Sequence, residues 1–188
     1  MPELPDVALQ KTYLDATSLH RDIESVRFEA PDLLRASRQK ITANLTGRPL
    51  QRSCRIGKFL FAQAGDGRWL VLHFGMTGYL KAYGDVDDRP AHERLRLVFT
   101  GGRRLGYACQ RKLGEIDLAD APRDYLDRRG FGSDALRLDR AAFEAILDSR
   151  RGTLKGLLLD QQALCGIGNV YGDEILFHVG RRLRHHLR

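Results

Sequence analysis

The sequence predicts an α+β protein: an N-terminal antiparallel β-sandwich with flanking helices, followed by a partial helical module. Three observations carry this reading. From Leu50 to about Leu118, apolar stretches are broken by glycine turns, the pattern of antiparallel strands in series. Beyond about residue 135 the apolar residues take up helical spacing. Between the two, "ADAPRDYLDRRGFGSDALRLD" is rich in charge, Gly and Pro and poor in periodicity. The expected organisation is a sandwich domain over 1–120, a linker over 121–134 and the helical module over 135–188.

Taken in order, Asp6 is expected to cap a first helix running from Val7 to about Asp15, with Val7, Tyr13 and Leu14 turned inward. "IESVRFE" follows as a short strand, and then a helix from about Asp32 to Leu45, ended by Gly47 and Pro49. In the strand-rich stretch, "GDG" reads as a hairpin tip, and Gly101 and Gly102 repeat the design. Asp139 caps the amphipathic "RAAFEAILDSR". "TLKGLLLDQQAL" and "VYGDEILFHVG" read as two more helices, separated by "CGIGN".

Composition narrows the function. The 188 residues carry 31 Lys and Arg against 24 Asp and Glu, a net charge of +7, which favours a polyanionic partner. No apolar run approaches the ~20 residues of a membrane span. The polar, acidic N-terminus is not that of a signal peptide. Cys54, Cys109 and Cys165 are odd in number and widely spaced, so neither a disulfide framework nor a CxxC metal site is expected. A reducing, cytoplasmic setting follows as an expectation, with no metal site.

The chemistry begins at "MPELPDV". With Met1 removed, Pro2 presents a secondary α-amine, titrating near ~8 against roughly 10.4 for lysine. Such an amine is often neutral, attacks carbonyl-like carbons and forms a Schiff base, and Glu3 beside it is a ready proton carrier. The mundane alternative is an ordinary frayed terminus. "CGIGN" before a helix is a candidate phosphate cradle; as a mere tight turn it would explain Gly166 and Gly168 but not Asn169. Lys155, one helix earlier, can add a point charge. Lys58 in "GKFLF" is either a strand end reaching water or a contact to a ligand. In "HFGMTGYL", Met76 lies between two glycines where little core is available, as suits a side chain that wedges between bases. His73 beside it contacts phosphate or fills a structural role.

"MPELPDV", "GKFLF", "HFGMTGYL" and "LLLDQQALCGIGNVYGDEILF", in that order, resemble the formamidopyrimidine-DNA glycosylase/endonuclease VIII family of bifunctional base-excision repair enzymes. The resemblance spans the whole chain and implies that the helical part is a partial helix–two-turn–helix module. It further implies Pro2 as Schiff-base nucleophile, Glu3 as acid/base partner, and Lys58 as a lysine reaching the damaged nucleotide. It implies His73 as a backbone contact, Met76 as the wedge replacing the flipped base, and Arg111 of "CQRKLG" as the partner of the orphaned base. Lys155 and Asn169 become phosphate grips, and Glu174 a buried carboxylate organising their module. Asp6 stands where glutamate is frequent, Leu113 where an aromatic wedge is, and Cys109 where an acidic residue is. Family members normally continue into further helices and a zinc finger; no cysteine follows Cys165 here, so no cofactor is expected.

The leading expectation is a DNA glycosylase with AP-lyase activity, acting as a monomer on damaged, abasic or single-stranded DNA. A non-catalytic paralogue that only binds damaged or abasic DNA is the alternative, told apart by borohydride trapping. RNA binding through the helical module is a third reading, and the intact "MPEL" argues against it.

Overall fold

The computed structural model describes residues 2–180 and the backbone of His186–Leu187, and these fall into two compact units, Met1–Pro122 and Arg123–Arg188. The first unit opens with α1 (Leu4–Ser18), three residues earlier than expected. Pro5 lacks an N–H and therefore fits a first turn, where donors are unpaired anyway. Glu3, not Asp6, is the N-cap: the two form a capping box in which the Glu3 N–H donates to Asp6 Oδ2 at 2.8 Å. Strand β1 (Ile23–Phe28) follows. The single helix expected over 32–45 is instead a 3₁₀ turn at Pro31–Leu33 and a separate α2 (Arg38–Leu45). Ser37 causes the break, because its Oγ accepts the Lys40 N–H at 3.3 Å and starts a new helix.

Seven strands then run in series: β2 (Leu50–Ile56), β3 (Phe59–Ala64), β4 (Trp69–His73), β5 (Gly78–Tyr83), β6 (Glu93–Phe99), β7 (Arg104–Cys109) and β8 (Glu115–Ala119). They form two four-stranded antiparallel sheets, ordered β1-β6-β7-β5 and β2-β3-β4-β8. One apolar core takes side chains from both: Leu95, Leu97, Phe99 and Tyr107 from the first, Leu60, Ala62, Leu70, Leu72 and Ile116 from the second. Val7 and Leu14 of α1 and Ile41 and Leu45 of α2 complete it. The sandwich reading therefore stands, and "GDG" and Gly101–Gly102 are the β3–β4 and β6–β7 connections.

A bulge at Arg94 shifts the β6–β7 register and turns Glu93 onto the face of Gly106. There the fully buried Glu93 carboxylate accepts from Arg89 Nε (2.8 Å), Arg96 Nη2 (2.6 Å) and Tyr83 Oη (2.7 Å). Gly106 is required at this point because a Cβ would collide with the carboxylate.

The second unit holds short elements: α3 (Pro122–Arg128), β9 (Ser133–Asp134), α4 (Arg140–Ser149), β10 (Gly152–Thr153), α5 (Leu154–Leu159), β11 (Leu164–Cys165), α6 (Asn169–His178) and β12 (His186–Leu187). Part of the stretch read as a linker is thus helical, and Tyr125 and Leu126 within it are buried. Helix α4 is capped by Asp139 as expected, its Oδ1 accepting the Ala142 N–H at 2.8 Å. Helix α5 is shorter than expected. Asp160 ends it, its Oδ1 accepting the Gln162 N–H at 2.9 Å in a local turn that competes with the helix. Leu158, Ala163, Leu164 and Leu176 form this unit's buried apolar cluster.

Candidate functional site

The strand register gathers most of the candidate residues at one end of the sandwich. Lys58 sits in the two-residue β2–β3 turn, where Gly57 takes a φ of 56° and Arg55 Nη1 donates to the Gly57 carbonyl at 2.8 Å. The next residue, Phe59, pairs with His73 at the end of β4, and their rings are 4.8 Å apart. His73 in turn pairs with Glu115, the first residue of β8. The 57–58 turn, the 74–77 loop and the 110–114 loop therefore emerge side by side.

Those two loops are packed directly on each other. Arg111 Nη1 lies 3.1 Å from Met76 Sδ, and the Arg111 N–H donates to Thr77 Oγ1 at 3.1 Å. Gly75, at a φ of 59°, sits so close to the Leu113 carbonyl that a Cβ would overlap it. A Cβ on Gly114 would overlap Tyr107 Oη, which donates to the His73 carbonyl at 2.9 Å. Two glycines thus let the loops close, and both Met76 (39 % exposed) and Leu113 (51 % exposed) face water. Lys112, at a φ of 51°, holds the second loop to the 3₁₀ turn through Asp32 Oδ2 at 3.1 Å. That hydrogen bond keeps the Asp32 carboxyl below the usual carboxylate range.

Helix α1 points its N-terminus toward the same end. Gln10 Oε1 accepts the Leu80 N–H at 2.7 Å and Tyr13 Oη accepts the Ala82 N–H at 2.8 Å. Moving from Tyr13 back to Gln10 therefore moves from Ala82 back to Leu80, toward Gly78 and the Met76 loop. At ~1.5 Å rise per residue the remaining turns bring Glu3 about level with that loop. Glu3 is buried at 3 % exposure and Pro2 is half-buried.

In the second unit, Lys155 of α5 is half-buried and its Nζ lies 2.6 Å from Asp173 Oδ1. Asn169 is the first residue of α6 and exposed. Asp173 lies four residues, about one helical turn, beyond it. Lys155 and Asn169 are thereby brought to one face. Glu174 is a correction: its side chain is 62 % exposed and its Oε2 stands 3.9 Å from His178 Nδ1, so it is not buried. Asp173, its neighbour, is the carboxylate that meets the lysine. The "CGIGN" turn also differs from expectation. Gly166 has a φ of 118°, but Gly168 is extended, as any residue can be. Gln161 fills the turn, accepting the Gly166 N–H at 3.1 Å and donating to the Ile167 carbonyl at 2.8 Å. The Gly166 N–H is therefore spent inside the protein.

Sequence reasoning missed Gln10, Thr77, Gln161 and Asp173, and it expected Tyr13 to turn inward, whereas Tyr13 is exposed because its Oη reaches out to the edge of β5. Only Asp173 left a signal, since the spacing of four from Asn169 selects it over Glu174.

Residues 1–116 match the family described as formamidopyrimidine-DNA glycosylase N-terminal domain. The chain belongs to the formamidopyrimidine-DNA glycosylase family. It is 32% identical over 185 residues to the formamidopyrimidine-DNA glycosylase of Geobacter metallireducens, covering 97% of this chain and 69% of that relative. The Mycolicibacterium gilvum glycosylase is 34% identical over 190 residues, covering 94% of this chain and 66% of that protein. Lactococcus lactis Fpg in complex with N7-benzyl-Fapy-dG DNA matches with a TM-score of 0.89 at 27% identity, over 97% of this chain and 69% of that one. The same protein with abasic-site DNA matches at 0.89 and 26% identity, with the same coverage. Among the described residues of this glycosylase-family chain, no group of three His, Cys, Asp or Glu is placed to hold a metal ion, and no helix is long and apolar enough to cross a membrane.

Proposed function

We propose that this protein is a base-excision repair DNA glycosylase with AP-lyase activity, using the Pro2 amine once Met1 has been removed. The observation that carries the reading is the convergence of the α1 N-terminus with the loops of Met76 and Arg111 at one end of the sandwich. The neutral amine attacks C1′ of the damaged nucleotide, the C1′–N bond breaks, and the base leaves with a proton. Glu3 handles the proton that must leave the amine and the one the opened sugar oxygen needs. The resulting Schiff base acidifies C2′, and loss of that proton expels the 3′ phosphate.

Lys58 and His73 contact the nucleotide and its phosphates in this reading. Met76, Arg111 and Leu113 occupy the gap left by the everted base, and Lys155 and Asn169 hold the backbone. The preferred substrates are abasic sites, mismatched lesions and single-stranded DNA. Leu113 lacks the stacking surface of an aromatic wedge, so a well-stacked duplex is costlier to open. The protein acts as a monomer. Incubating it with a duplex containing one abasic site tests the reading. Strand cleavage that falls sharply in Pro2→Gly, which keeps an amine of altered basicity and constraint, is expected, whereas tight binding without cleavage by the wild type would establish the non-catalytic binder instead.

A further inference from the structure

We propose that Gln10, Tyr13 and Asp15 are positioning residues that set where α1 delivers Pro2 and Glu3, a role that rests on the function proposed above. The two sheets each end in an open edge beside α1, namely β5 in one and β2 in the other. Helix α1 is tied to both. The edge donors of β5 at Leu80 and Ala82 go to Gln10 Oε1 and Tyr13 Oη. On the β2 side, Asp15 accepts from Ser53 Oγ, and Lys11 Nζ holds the same carboxylate at 2.5 Å.

The spacing suits the task. Side chains three apart on a helix are ~5–6 Å from each other, and strand residues two apart are separated by roughly 6.7 Å. The helix thus offers its acceptors at nearly the repeat of the strand's free donors. The apolar contacts of Val7 and Leu14 hold α1 to the core, but they are not directional and do not fix its slide along the sandwich. The hydrogen bonds do. Water would satisfy the same edge donors, so these bonds add little to stability while fixing a register. That register matters because β5 begins where the Met76 loop ends, and β2 runs directly into the Lys58 turn. The same three side chains therefore tie the nucleophile's helix to both loops that meet the nucleotide.

The test uses the full chain with Met1 removed and compares wild type, the double variant Gln10→Met/Tyr13→Phe, and Gln10→Glu, which keeps an acceptor. Three quantities are read: the rate of borohydride-trapped adduct at saturating abasic-site DNA, affinity for duplex bearing an uncleavable tetrahydrofuran site, and Tm. The double variant is expected to trap about tenfold more slowly, a modest share of the ~100-fold that a 1 Å misplacement of reacting groups can cause. Affinity and Tm should stay close to wild type, and Gln10→Glu should keep the wild-type rate. A double variant that traps at the wild-type rate overturns the positioning role. So does one whose rate, affinity and Tm fall together, because that marks a purely structural contribution. A wild-type protein that yields no adduct overturns the proposed activity itself, and that result is read from the control alone.

Discussion

Arg111 spans 3.1 Å to Met76 Sδ and hangs its own N–H on Thr77, so the two side chains proposed to fill the everted base's place are already in contact without DNA. Removing one leaves the other without its support. Met76→Ala should slow cleavage of a paired lesion in duplex by roughly tenfold more than cleavage of the same lesion in a single strand, since only the duplex leaves a hole to fill. Matched oligonucleotides check this, and equal losses would assign Met76 to the fold alone. Tyr83 gives a second expectation. Burial and its bond to Glu93 push its pKa up to about 12. Above pH 10 an unfolded tyrosine loses its proton while the folded one keeps it, so stability falls with rising pH between about 10 and 12. Urea titrations should show a shallower fall in Tyr83→Phe. Burial also raises Tyr107, which leaves part of the slope in place. At this scale the sequence was legible where a residue's type is unusual for its setting, as with Met76 between glycines. It was misread where the choice depends on helix phase, as between Asp173 and Glu174, since only the spacing of four from Asn169 tells these adjacent carboxylates apart.

Among the elements, α5 and α6 carry a test of the proposed backbone grip. If Lys155 neutralises one phosphate, Lys155→Ala should lower the salt slope of DNA binding by roughly one unit. Titrations at several salt concentrations measure this, and an unchanged slope would remove the lysine from the interface. In the first unit, Glu93 holds the outer face of β6 and β7 through two arginines and Tyr83. Glu93→Ala would leave Arg96 facing a void, and breaking such a buried pair costs about 3–5 kcal/mol. A denaturant midpoint near wild type would show that the network is dispensable. Strands and hairpin tips were legible because glycine turns punctuate them. Helix ends were less so: Glu3, Ser37 and Asp160 each decide a boundary by a side-chain hydrogen bond that periodicity does not register.

Over the whole molecule, seven strands between residues 50 and 119 connect so that three loops and one helix terminus converge at one end of the first unit. Apolar stretches broken by glycine turns were enough to predict two packed sheets, but not which connections share an end, since that depends on the strand pairing. The order of the motifs along the chain did carry the family, because each falls at a strand end or helix start. The central claim is that the Pro2 amine is the nucleophile. Its most direct test is mass spectrometry of the protein after reaction with abasic-site DNA in borohydride, nuclease digestion and proteolysis. The reduced sugar remnant is expected on a peptide beginning at Pro2, on its α-amine. A remnant carried by Lys58, Lys155 or any other lysine, with the Pro2 peptide unmodified, would contradict it.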